Sequence, residues 1–405
     1  MGKRVVITKQ NIKNSDYLIT ALFDDNRMIE VSCENVKEVT LLGNIYIGKI
    51  KRILEKIGAA FVEIAPGKIT YLSLYEIKDA LMVRQCRPGK LTEGDELVVQ
   101  VVKEAVKTKD PTVSTNISFK GNALILTSEN KILGISKKLD SIQRSHFQEL
   151  FAARKTEDYG LVVRTNAKNC SDEQILAEFQ MLLEHFEYLK KQCGHRTCYS
   201  CLYQSPPGYI SGVRDHLSME PEKIVTDDPK IYEALCQAFE KEASVTKEQI
   251  VLYEDHMLSL SALYGLKSKL EAALKEQVHL KSGAYLVIQP TEALTVIDVN
   301  SGKCIKGKQK DFYLKINLEA AKEIARQLRL RNISGICLVD FINMDTKEAR
   351  EELAEALKQY LAKDSVPAVF VDFTELGLAE ITRKKVRKPL WEQLAETKKE
   401  MGDRI

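Results

Sequence analysis

The chain has 405 residues, which is enough for two or more domains at roughly 100–200 residues per domain. Its hydrophobic content of 44% and charged content of 29% are typical of a soluble globular protein, and no apolar run approaches the ~18–20 residues of a membrane-spanning helix. The net charge is only +3, so a nucleic-acid-binding function would have to rest on local clusters. The nine scattered cysteines favour reduced thiols, and the start MGKRVVITKQ lacks the apolar segment of a secretory signal, which predicts a cytoplasmic protein.

The segment from Gly43 to about Lys120 predicts a small β-barrel. Short β-like runs are separated there by Gly, Pro and acidic turns: NIYIGKIKRIL, AAFVEIAPG, KITYLSLYEI and DELVVQVVKEAV. About five short strands in this length make the OB fold the commonest candidate. The next stretch, GNALILTSENKILGIS, predicts a hairpin that turns near Glu129 and Asn130.

Helical patterns follow. SDEQILAEFQMLLEHFEYLKKQ carries Ser171 and Gln174 in capping-box positions ahead of apolar residues at helical spacing. A second helix is predicted to start at Asp228-Pro229, with proline in the first helical position, and LKSKLEAALKEQ predicts a third.

The C-terminal third predicts an α/β layer around a buried sheet. AYLVIQP and ALTVIDVN are two strands, INLEAAKEIARQLRLRN is a helix with Asn317 as its N-cap, and SGICLVDFINM is a nearly all-apolar strand. PAVFVDFTELGLAEITR supplies a further pair of strands.

Three polar side chains stand at the ends of two of these strands. Successive strand residues point to opposite faces, so Asp298 and Asn300 share one face of TVIDVN. Asp340 stands within ICLVDFINM, where an unpaired buried carboxylate would be costly. A Mg²⁺ ion held by both acids would satisfy them, and a helical crossover between the strands would bring them to one edge of the sheet.

Two structural alternatives stay open on the residues alone. Asp298 could cap the next element, and Asp340 could pair with an arginine of the intervening helix: Arg326, Arg329 or Arg331. Lys303 and Lys306 would suit phosphate neutralisation, although lysines in a loop are usually solvated.

EALTVIDVNSGK and NLEAAKEIARQLRLRNISGICLVDFINM together resemble the catalytic domain of the ribonuclease E/G family in order and spacing. The resemblance covers nearly the whole chain and implies an α/β multidomain fold. An RNase-H-like subdomain would comprise residues 1–35 and 216–280, interrupted by an S1-type OB fold at 36–120 and a 5′-sensor region at 121–215. A DNase-I-like catalytic subdomain would follow at 281–405.

The resemblance also implies an activity. Asp298 and Asp340 would be metal-binding carboxylates, and Asn300 would orient the attacking water or the scissile phosphate. The reaction would be Mg²⁺-dependent cleavage of single-stranded RNA that leaves a 5′-monophosphate on the downstream fragment. One metal ion is implied, and a second is not excluded.

RNA contacts are implied at the barrel. Phe61 matches the family directly, and Tyr71 stands where the family usually has Phe; such rings stack bases without reading sequence. Lys109 aligns with a lysine that contacts RNA near the scissile bond. Without the resemblance, Phe61 would be a core residue and Lys109 an exposed loop charge. The pair Lys137 and Lys138 suits RNA contact or plain solvation equally.

GLVVRTNAKN is similar to the pocket that senses the substrate's 5′ end. Arg164 offers a fork of donors suited to a monophosphate, and Thr165 adds a hydroxyl. Arg383, in GLAEITR, is expected to close the same pocket, and a solvated position is the alternative.

The sequence departs from the family at its cysteines. The final stretch RKPLWEQLAETKKEMGDRI has none of the paired cysteines through which zinc joins two protomers in better-known members, so zinc is not expected there and the oligomeric state is open. A different cluster, CGHRTCYSC, places His195 among Cys193, Cys198 and Cys201. It could bind zinc, but reduced structural cysteines, with Cys198–Cys201 on a half-buried strand, are the favoured interpretation.

The expected function is therefore a 5′-end-sensitive endoribonuclease of messenger decay or stable-RNA maturation. A non-catalytic RNA-binding protein of the same fold is the first alternative, and a phosphoesterase acting on DNA or small nucleotides is the second, because fold alone does not fix the substrate.

Overall fold

The computed structural model describes residues 2–37, 40–77, 80–87, 89–104, 110–154, 158–240, 245–302, 312–344 and 346–395. The chain divides into two compact units. The first unit joins Met1–Glu38, Pro221–Tyr232 and Val251–Ile405, and the second joins Val39–Glu220 and Glu233–Ile250. The boundaries of the four subdomains that the resemblance implies, one of them in two pieces, stay predictions.

The strands of the described residues are, in chain order, β1 (Lys3–Ile12), β2 (Ser15–Asp24), β3 (Arg27–Asn35), β4 (Ile45–Leu54), β5 (Ala59–Ala65), β6 (Lys68–Ser73), β7 (Met82–Arg84), β8 (Glu96–Lys103), β9 (Thr112–Ser114), β10 (Ser118–Lys120), β11 (Leu124–Thr127), β12 (Leu133–Ile135), β13 (Gly160–Val163), β14 (Cys201–Tyr203), β15 (Lys223–Thr226), β16 (Ile250–Leu252), β17 (Gln277–His279), β18 (Tyr285–Pro290), β19 (Leu294–Asn300), β20 (Gly335–Asp340), β21 (Ala368–Phe373) and β22 (Ala379–Arg383).

The α-helices of the same residues are α1 (Ser141–Leu150), α2 (Asp172–Cys193), α3 (Gly208–His216), α4 (Pro229–Phe239), α5 (Leu260–Leu263), α6 (Leu266–Leu274), α7 (Phe312–Leu330), α8 (Lys347–Leu361) and α9 (Leu390–Gln393). None of them is long and apolar enough to cross a membrane.

The first unit contains a sheet in the order β16-β15-β1-β2-β3. The hairpin from β1 to β2 turns at Lys13 and Asn14, which both have positive φ, as a two-residue type I′ turn requires. One face of this sheet buries Ile19 and Phe23 against Leu266 and Leu270 of α6 and Leu330 of α7.

A six-stranded sheet in the order β17-β18-β19-β20-β22-β21 forms the rest of the first unit. Only β19 and β20 run parallel, and the long crossover between them contains α7. Ile297 and Val339 lie on the buried face with Ile324 of α7 and Leu357 of α8, whereas Ile336 is 51% exposed on the opposite face. The expected sheet is therefore present, but its second face is open rather than buried.

Helix α7 is tied to both sheets of the first unit by polar groups as well as apolar ones. Arg326 donates to the Met28 carbonyl at 2.6 Å and pairs with Glu323, which also pairs with Arg27. Arg329 pairs with Glu30 at 3.3 Å. These bonds hold the helix against β3 while its apolar face packs on the six-stranded sheet.

The second unit contains the expected barrel. Strands β4, β5, β6, β9 and β8 pair in turn, and β8 pairs back onto β4, which closes a five-stranded S1/OB-like barrel. The absence of a side chain at Gly48 of β4 makes room for Val62 of β5 inside the barrel, because a Cβ at position 48 would lie 2.5 Å from Cγ1 of Val62.

A four-stranded sheet in the order β10-β11-β13-β12 completes the second unit with α1 and α2. The hairpin predicted around Glu129 and Asn130 is wrong: β11 and β12 do not pair with each other, because β13 lies between them. The capping box of α2 is confirmed, with Ser171 and Gln174 bonded reciprocally, and α4 starts at Pro229 as predicted.

The predicted role of Asn317 is wrong. It lies within α7 rather than before it, and its side chain is fully buried. The helical periodicity of the sequence was visible, but the beginning of the helix was not, because Asn is a common N-cap residue and the sequence also has an Asp further upstream, at position 311.

Candidate metal and RNA-binding sites

Asp298 and Asp340 lie side by side towards the carboxyl ends of β19 and β20, the two central strands of the six-stranded sheet. The parallel pair β19–β20 runs in register from Leu294 opposite Ile336 to Asp298 opposite Asp340. Neighbouring strands are about 4.8 Å apart, and directly opposed residues of a parallel pair point to the same face. The convergence of the two acids predicted from the sequence is therefore confirmed.

The two carboxylates are exposed, which corrects the expectation that they are buried. Strand alternation explains the difference: Ile297, Val299 and Val339 fill the buried face, and the acids take the other one. The cost of burying an unpaired carboxylate is thus not what requires a cation here. Instead, two like charges stand opposite each other on neighbouring strands, which is itself unfavourable.

No cationic side chain among the described residues forms an ion pair with Asp298 or Asp340. The arginines considered as partners are engaged elsewhere. Arg326 pairs with Glu323 and Arg329 with Glu30, and Nε of Arg331 donates to the side-chain Oε1 of Gln327 at 2.6 Å. This removes the arginine alternative for Asp340.

Asn300 lies on the same face as Asp298, two residues further along β19. Its Nδ2 donates to Oδ2 of Asp298 at 2.6 Å. The amide therefore fixes one oxygen of that carboxylate and leaves the other available. Lys303 and Lys306 lie outside the described residues.

The oxygen ligands at these strand ends fit a hard divalent cation. Mg²⁺ is commonly held by one or two carboxylates, with waters and substrate phosphate filling the remaining positions. Across the part of the chain that is described, no group of three or more His, Cys, Asp or Glu side chains is placed to hold a metal ion. An all-protein metal cage is thus absent from those residues, and Asp298 with Asp340 is the arrangement that suits a partly hydrated ion.

The cysteine cluster does not form a ligand set within the described residues. Cys193 donates to the Lys190 carbonyl at 3.1 Å, and Cys201 to the Tyr203 carbonyl at 3.3 Å. Burial raises the pKa of both Cys198 and Cys201, which disfavours the thiolates that zinc binds. The half-buried strand expected over Cys198–Cys201 begins only at Cys201, and Tyr199 has a φ of 71°.

Phe61 and Tyr71 are directly opposed on β5 and β6 of the barrel. Their ring centroids lie 6.5 Å apart with an interplanar angle of 81°, and both rings are partly exposed. Arg52 of β4 is opposed to Phe61 on the other side and is exposed. This edge-to-face pair leaves ring surface available for a base. Lys109 lies outside the described residues, whereas Lys137 and Lys138 are exposed.

Arg164 and Thr165 lie where β13 ends and a 3-10 turn begins. Arg164 donates to the Gly121 carbonyl at 2.6 Å and to Asp215 at 2.9 Å, and its side chain is 22% exposed. The Thr165 hydroxyl lies 2.9 Å from that of Ser136. The guanidinium and two hydroxyls thus gather at the ends of neighbouring strands, with Asp215 as a carboxylate already bonded to the arginine.

Arg383 has a different environment from Arg164. It is 4% exposed and pairs with Asp364, 3% exposed, at 2.8 Å. It also donates to Asn332 at 2.7 Å and to the Ile333 carbonyl at 3.3 Å. These partners favour a structural role, and the expectation that Arg383 closes a phosphate pocket stays a prediction.

Asp215 and Arg52 were missed by the sequence reasoning. Asp215 stands in GVRDHL, a helical stretch without a motif, and only the folded chain brings it to Arg164. Arg52 had little signal, because the alternation of GKIK breaks at Lys51-Arg52, where the pairing of β4 with β5 shifts in register.

The Ribonuclease E/G family model matches residues 118–386, which is more than half of the chain. The chain is 32% identical over 399 residues to a putative ribonuclease E of Buchnera aphidicola subsp. Baizongia pistaciae, covering 96% of each. It is 30% identical over 382 residues to ribonuclease G of Haemophilus influenzae, covering 91% of this chain and 78% of the relative.

Ribonuclease E of Escherichia coli is 31% identical over 404 residues, which cover 96% of this chain but 37% of that much longer relative. The matches thus extend over both units and include the strands that carry Asp298 and Asp340. The chain belongs to the ribonuclease E/G family.

Proposed function

We propose that this chain is a metal-dependent endoribonuclease that cleaves single-stranded RNA. The observation that carries the proposal is the register of Asp298 opposite Asp340, two exposed carboxylates with no ion-pair partner among the described residues. Family membership supports it, since the matched relatives are named ribonucleases. In this proposal the six-stranded sheet is a DNase-I-like catalytic subdomain, and the five-stranded sheet belongs to an RNase-H-like one.

Asp298 and Asp340 are the residues that would hold Mg²⁺. When bound, such an ion lowers the pKa of a coordinated water and neutralises charge that develops on a phosphodiester. The two carboxylates would position the ion at the ends of β19 and β20, and Asn300 orients Asp298 by donating to it. Hydrolysis of this type leaves a 5′-monophosphate on the downstream fragment, which is the expected product.

The barrel would hold the RNA without selecting a sequence. Phe61 and Tyr71 offer ring faces on which bases stack, at about 1–3 kcal/mol per base. Lys109 completes this part of the proposal as a contact to the RNA backbone. A role in messenger decay or in the maturation of stable RNA follows the same reasoning.

The Arg164 pocket would sense the 5′ end of the RNA. A monophosphate can accept from the arginine fork and from the Thr165 hydroxyl. Asp215 already occupies one guanidinium nitrogen, so a phosphate must share or displace that bond. Sensing is therefore expected to favour a monophosphate over a 5′-hydroxyl, which offers no charge to compete with Asp215.

The decisive experiment measures cleavage of a 5′-monophosphorylated single-stranded oligoribonucleotide with Mg²⁺ and with EDTA. Wild-type protein should cleave only with the metal, and Asp298→Asn or Asp340→Asn should slow cleavage by about a thousandfold or more, ~4 kcal/mol. RNA binding measured in EDTA should stay near the wild-type value. Glu292→Gln is the matched control, because Glu292 is an exposed acid just before the opposite end of β19.

Full activity of either aspartate variant would contradict the proposed metal site. Tight RNA binding without cleavage in any divalent metal would instead indicate a non-catalytic RNA-binding protein. Equal cleavage of a DNA oligomer of the same sequence would contradict RNA specificity. A substrate with a 5′-hydroxyl, compared in wild type and Arg164→Ala, tests the sensing part separately.

A further inference from the structure

Asn317 is a fully buried amide in the N-terminal third of α7. Its Nδ2 donates to the Ile342 carbonyl at 2.7 Å, and its Oδ1 accepts from the Ile342 N–H at 3.1 Å. Both ends of the side chain are thus bonded to the backbone of a single residue. That residue follows Asp340 by two positions.

The strand pairing around Asp340 stops at the carboxylate itself. Asp340 is the last residue of β20, and its strand partner on one side is Asp298. On the other side, the pairing of β20 with β22 runs from Gly335 only as far as Val339. The segment that follows, Phe341 to Met344, has no strand assignment. Phe341 anchors this segment by packing in the core beneath the sheet. The bonds of Asn317 to Ile342 add a hydrogen-bonded fixed point just beyond the carboxylate.

The side chain of Asn317 lies in apolar surroundings, so its amide depends on Ile342 for its hydrogen bonds. Its helix neighbours Ile316, Ala320 and Ala321 are buried in the apolar core beneath the six-stranded sheet, where Asn317 has no contact with water. Asn is a poor helix former and a costly residue to bury unless its amide is satisfied. Nδ2 and Oδ1 of Asn317 each have a hydrogen-bond partner here, and both partners belong to the backbone of Ile342.

We propose that Asn317 is a positioning residue for the metal site, acting on Asp340 through the backbone of Ile342. The proposal rests on the proposed function, since it presumes that Asp340 holds the cation. Asn317 is fully buried and would therefore act on a bound ion only through the backbone. It fixes the end of β20, so that the Asp340 carboxylate stays beside that of Asp298.

The test replaces Asn317 and measures metal binding directly. Mn²⁺ binding to RNA-free protein is followed by electron paramagnetic resonance, and the Mg²⁺ concentration for half-maximal cleavage is determined in parallel. Asn317→Ala should weaken Mn²⁺ binding and raise the Mg²⁺ midpoint by about 10-fold, the lower end of the effect of residues that orient metal ligands. RNA affinity in EDTA should change by less than about twofold, since the barrel contacts are untouched.

Gln393→Ala is the matched control. Gln393 also bonds to backbone at both ends of its amide: Oε1 accepts from Cys33 N–H at 2.8 Å, and Nε2 donates to the Lys388 carbonyl at 2.6 Å. Gln393 joins α9 to β3, in the sheet β16-β15-β1-β2-β3, and has no bond to β20 among the described residues. Its loss should lower the unfolding midpoint and leave Mn²⁺ binding unchanged. If Asn317→Ala also lowers stability but keeps wild-type Mn²⁺ binding, the positioning role is refuted.

Two further measurements cover a variant that does not fold. Asn317→Ser retains a hydroxyl that can bond to Ile342, so its Mn²⁺ affinity should fall between those of wild type and Asn317→Ala. In the wild-type protein, the Ile342 amide should exchange with solvent as slowly as those of β20, and rapid exchange would overturn the proposal.

Asp340→Asn separates the proposed metal site from the positioning role of Asn317. If this variant keeps Mn²⁺ binding and cleavage, the proposed function fails regardless of Asn317.

Discussion

Strand β20 carries a different charge arrangement at each of its two ends. At its start, Gly335 is opposed to Arg383, which is buried and paired with the buried Asp364. At its end, Asp340 is exposed and opposed to Asp298, and neither acid has an ion-pair partner among the described residues. One end satisfies its charges internally, whereas the other places two negative charges together.

Under the proposed function, this difference separates residues that maintain the fold from residues that would hold a cation. A buried charge is tolerated only when its partner and hydrogen bonds are supplied by the protein, as they are for Arg383. Two exposed acids in register cost stability without giving any in return, and a bound cation would reverse that cost. The contrast can be tested by substitution at each end.

The largest effect on stability is expected at the buried end. Arg383→Ala should lower the free energy of unfolding by about 3–5 kcal/mol, because Asp364 would remain buried without its partner. Urea denaturation at neutral pH measures this change. Cleavage per folded molecule should stay close to the wild-type value.

Arg383→Ala also tests the expectation that Arg383 binds a 5′-phosphate. If the variant keeps its stability but no longer distinguishes 5′-monophosphorylated from 5′-hydroxyl RNA, the structural interpretation is wrong. Removing both charges with Arg383→Met and Asp364→Leu should be less destabilising than Arg383→Ala alone, since no charge is then left unpaired.

The barrel offers the same contrast between a paired and an unpaired charge. Lys51 pairs with Glu63 at 3.2 Å, whereas its neighbour Arg52 is exposed beside Phe61 with no ion-pair partner among the described residues. Arg52→Ala should weaken binding of a single-stranded oligoribonucleotide by about 1 kcal/mol and reduce its salt dependence by about one unit of slope. Lys51→Ala should have the smaller effect on both. Equal losses in filter-binding or anisotropy titrations would contradict this ranking.

Substitution at the exposed end of β20 is expected to change the free energy of unfolding less, and in the opposite direction. Without divalent metal, Asp340→Asn should leave the free energy of unfolding unchanged or raise it by up to about 1 kcal/mol, because the repulsion from Asp298 is removed. Mg²⁺ should raise the thermal midpoint of the wild type and not that of the variant. A variant that is less stable without metal would indicate that Asp340 has a structural partner.

The sequence was sufficient for the features that depend on local patterns. The capping box of α2, the start of α4 and the barrel strands follow from spacing and turn residues, and the two aspartates follow from the length of the crossover between their strands. Pairings between distant segments were not accessible in this way. The position of β13 between β11 and β12 and the burial of Arg383 depend on which elements meet in the fold.

Burial was the second limit of sequence reasoning. Strand β20 is almost entirely apolar, which predicts a sheet covered on both faces. Yet Ile336 is 51% exposed and Val296 is 38% exposed, so the acids on that face are accessible. An apolar strand identifies neither which of its faces is covered nor whether a carboxylate on it is solvated.

Glu63 provides the last test, because it differs from both ends of β20. It is an acid that is only 8% exposed, and several donors bond to it. The Tyr199 hydroxyl donates to it, as does the Gly67 N–H at 3.0 Å, and Lys51 pairs with it. These donors, with Tyr199 first, lower the pKa of Glu63 to about 2. The folded state therefore favours the ionised form of this side chain.

The sign of the pH dependence follows from that shift. Because the pKa is lower in the folded than in the unfolded chain, the stabilisation by Glu63 is complete above the ordinary glutamate pKa of about 4.3 and is lost as the pH falls towards 2. The difference in unfolding free energy between wild type and Glu63→Gln should thus be larger at about pH 6 than at about pH 3. Tyr199→Phe should weaken this dependence, because it removes the first of the donors. A difference that does not change with pH would mean that Glu63 is held no more tightly in the folded protein than in water.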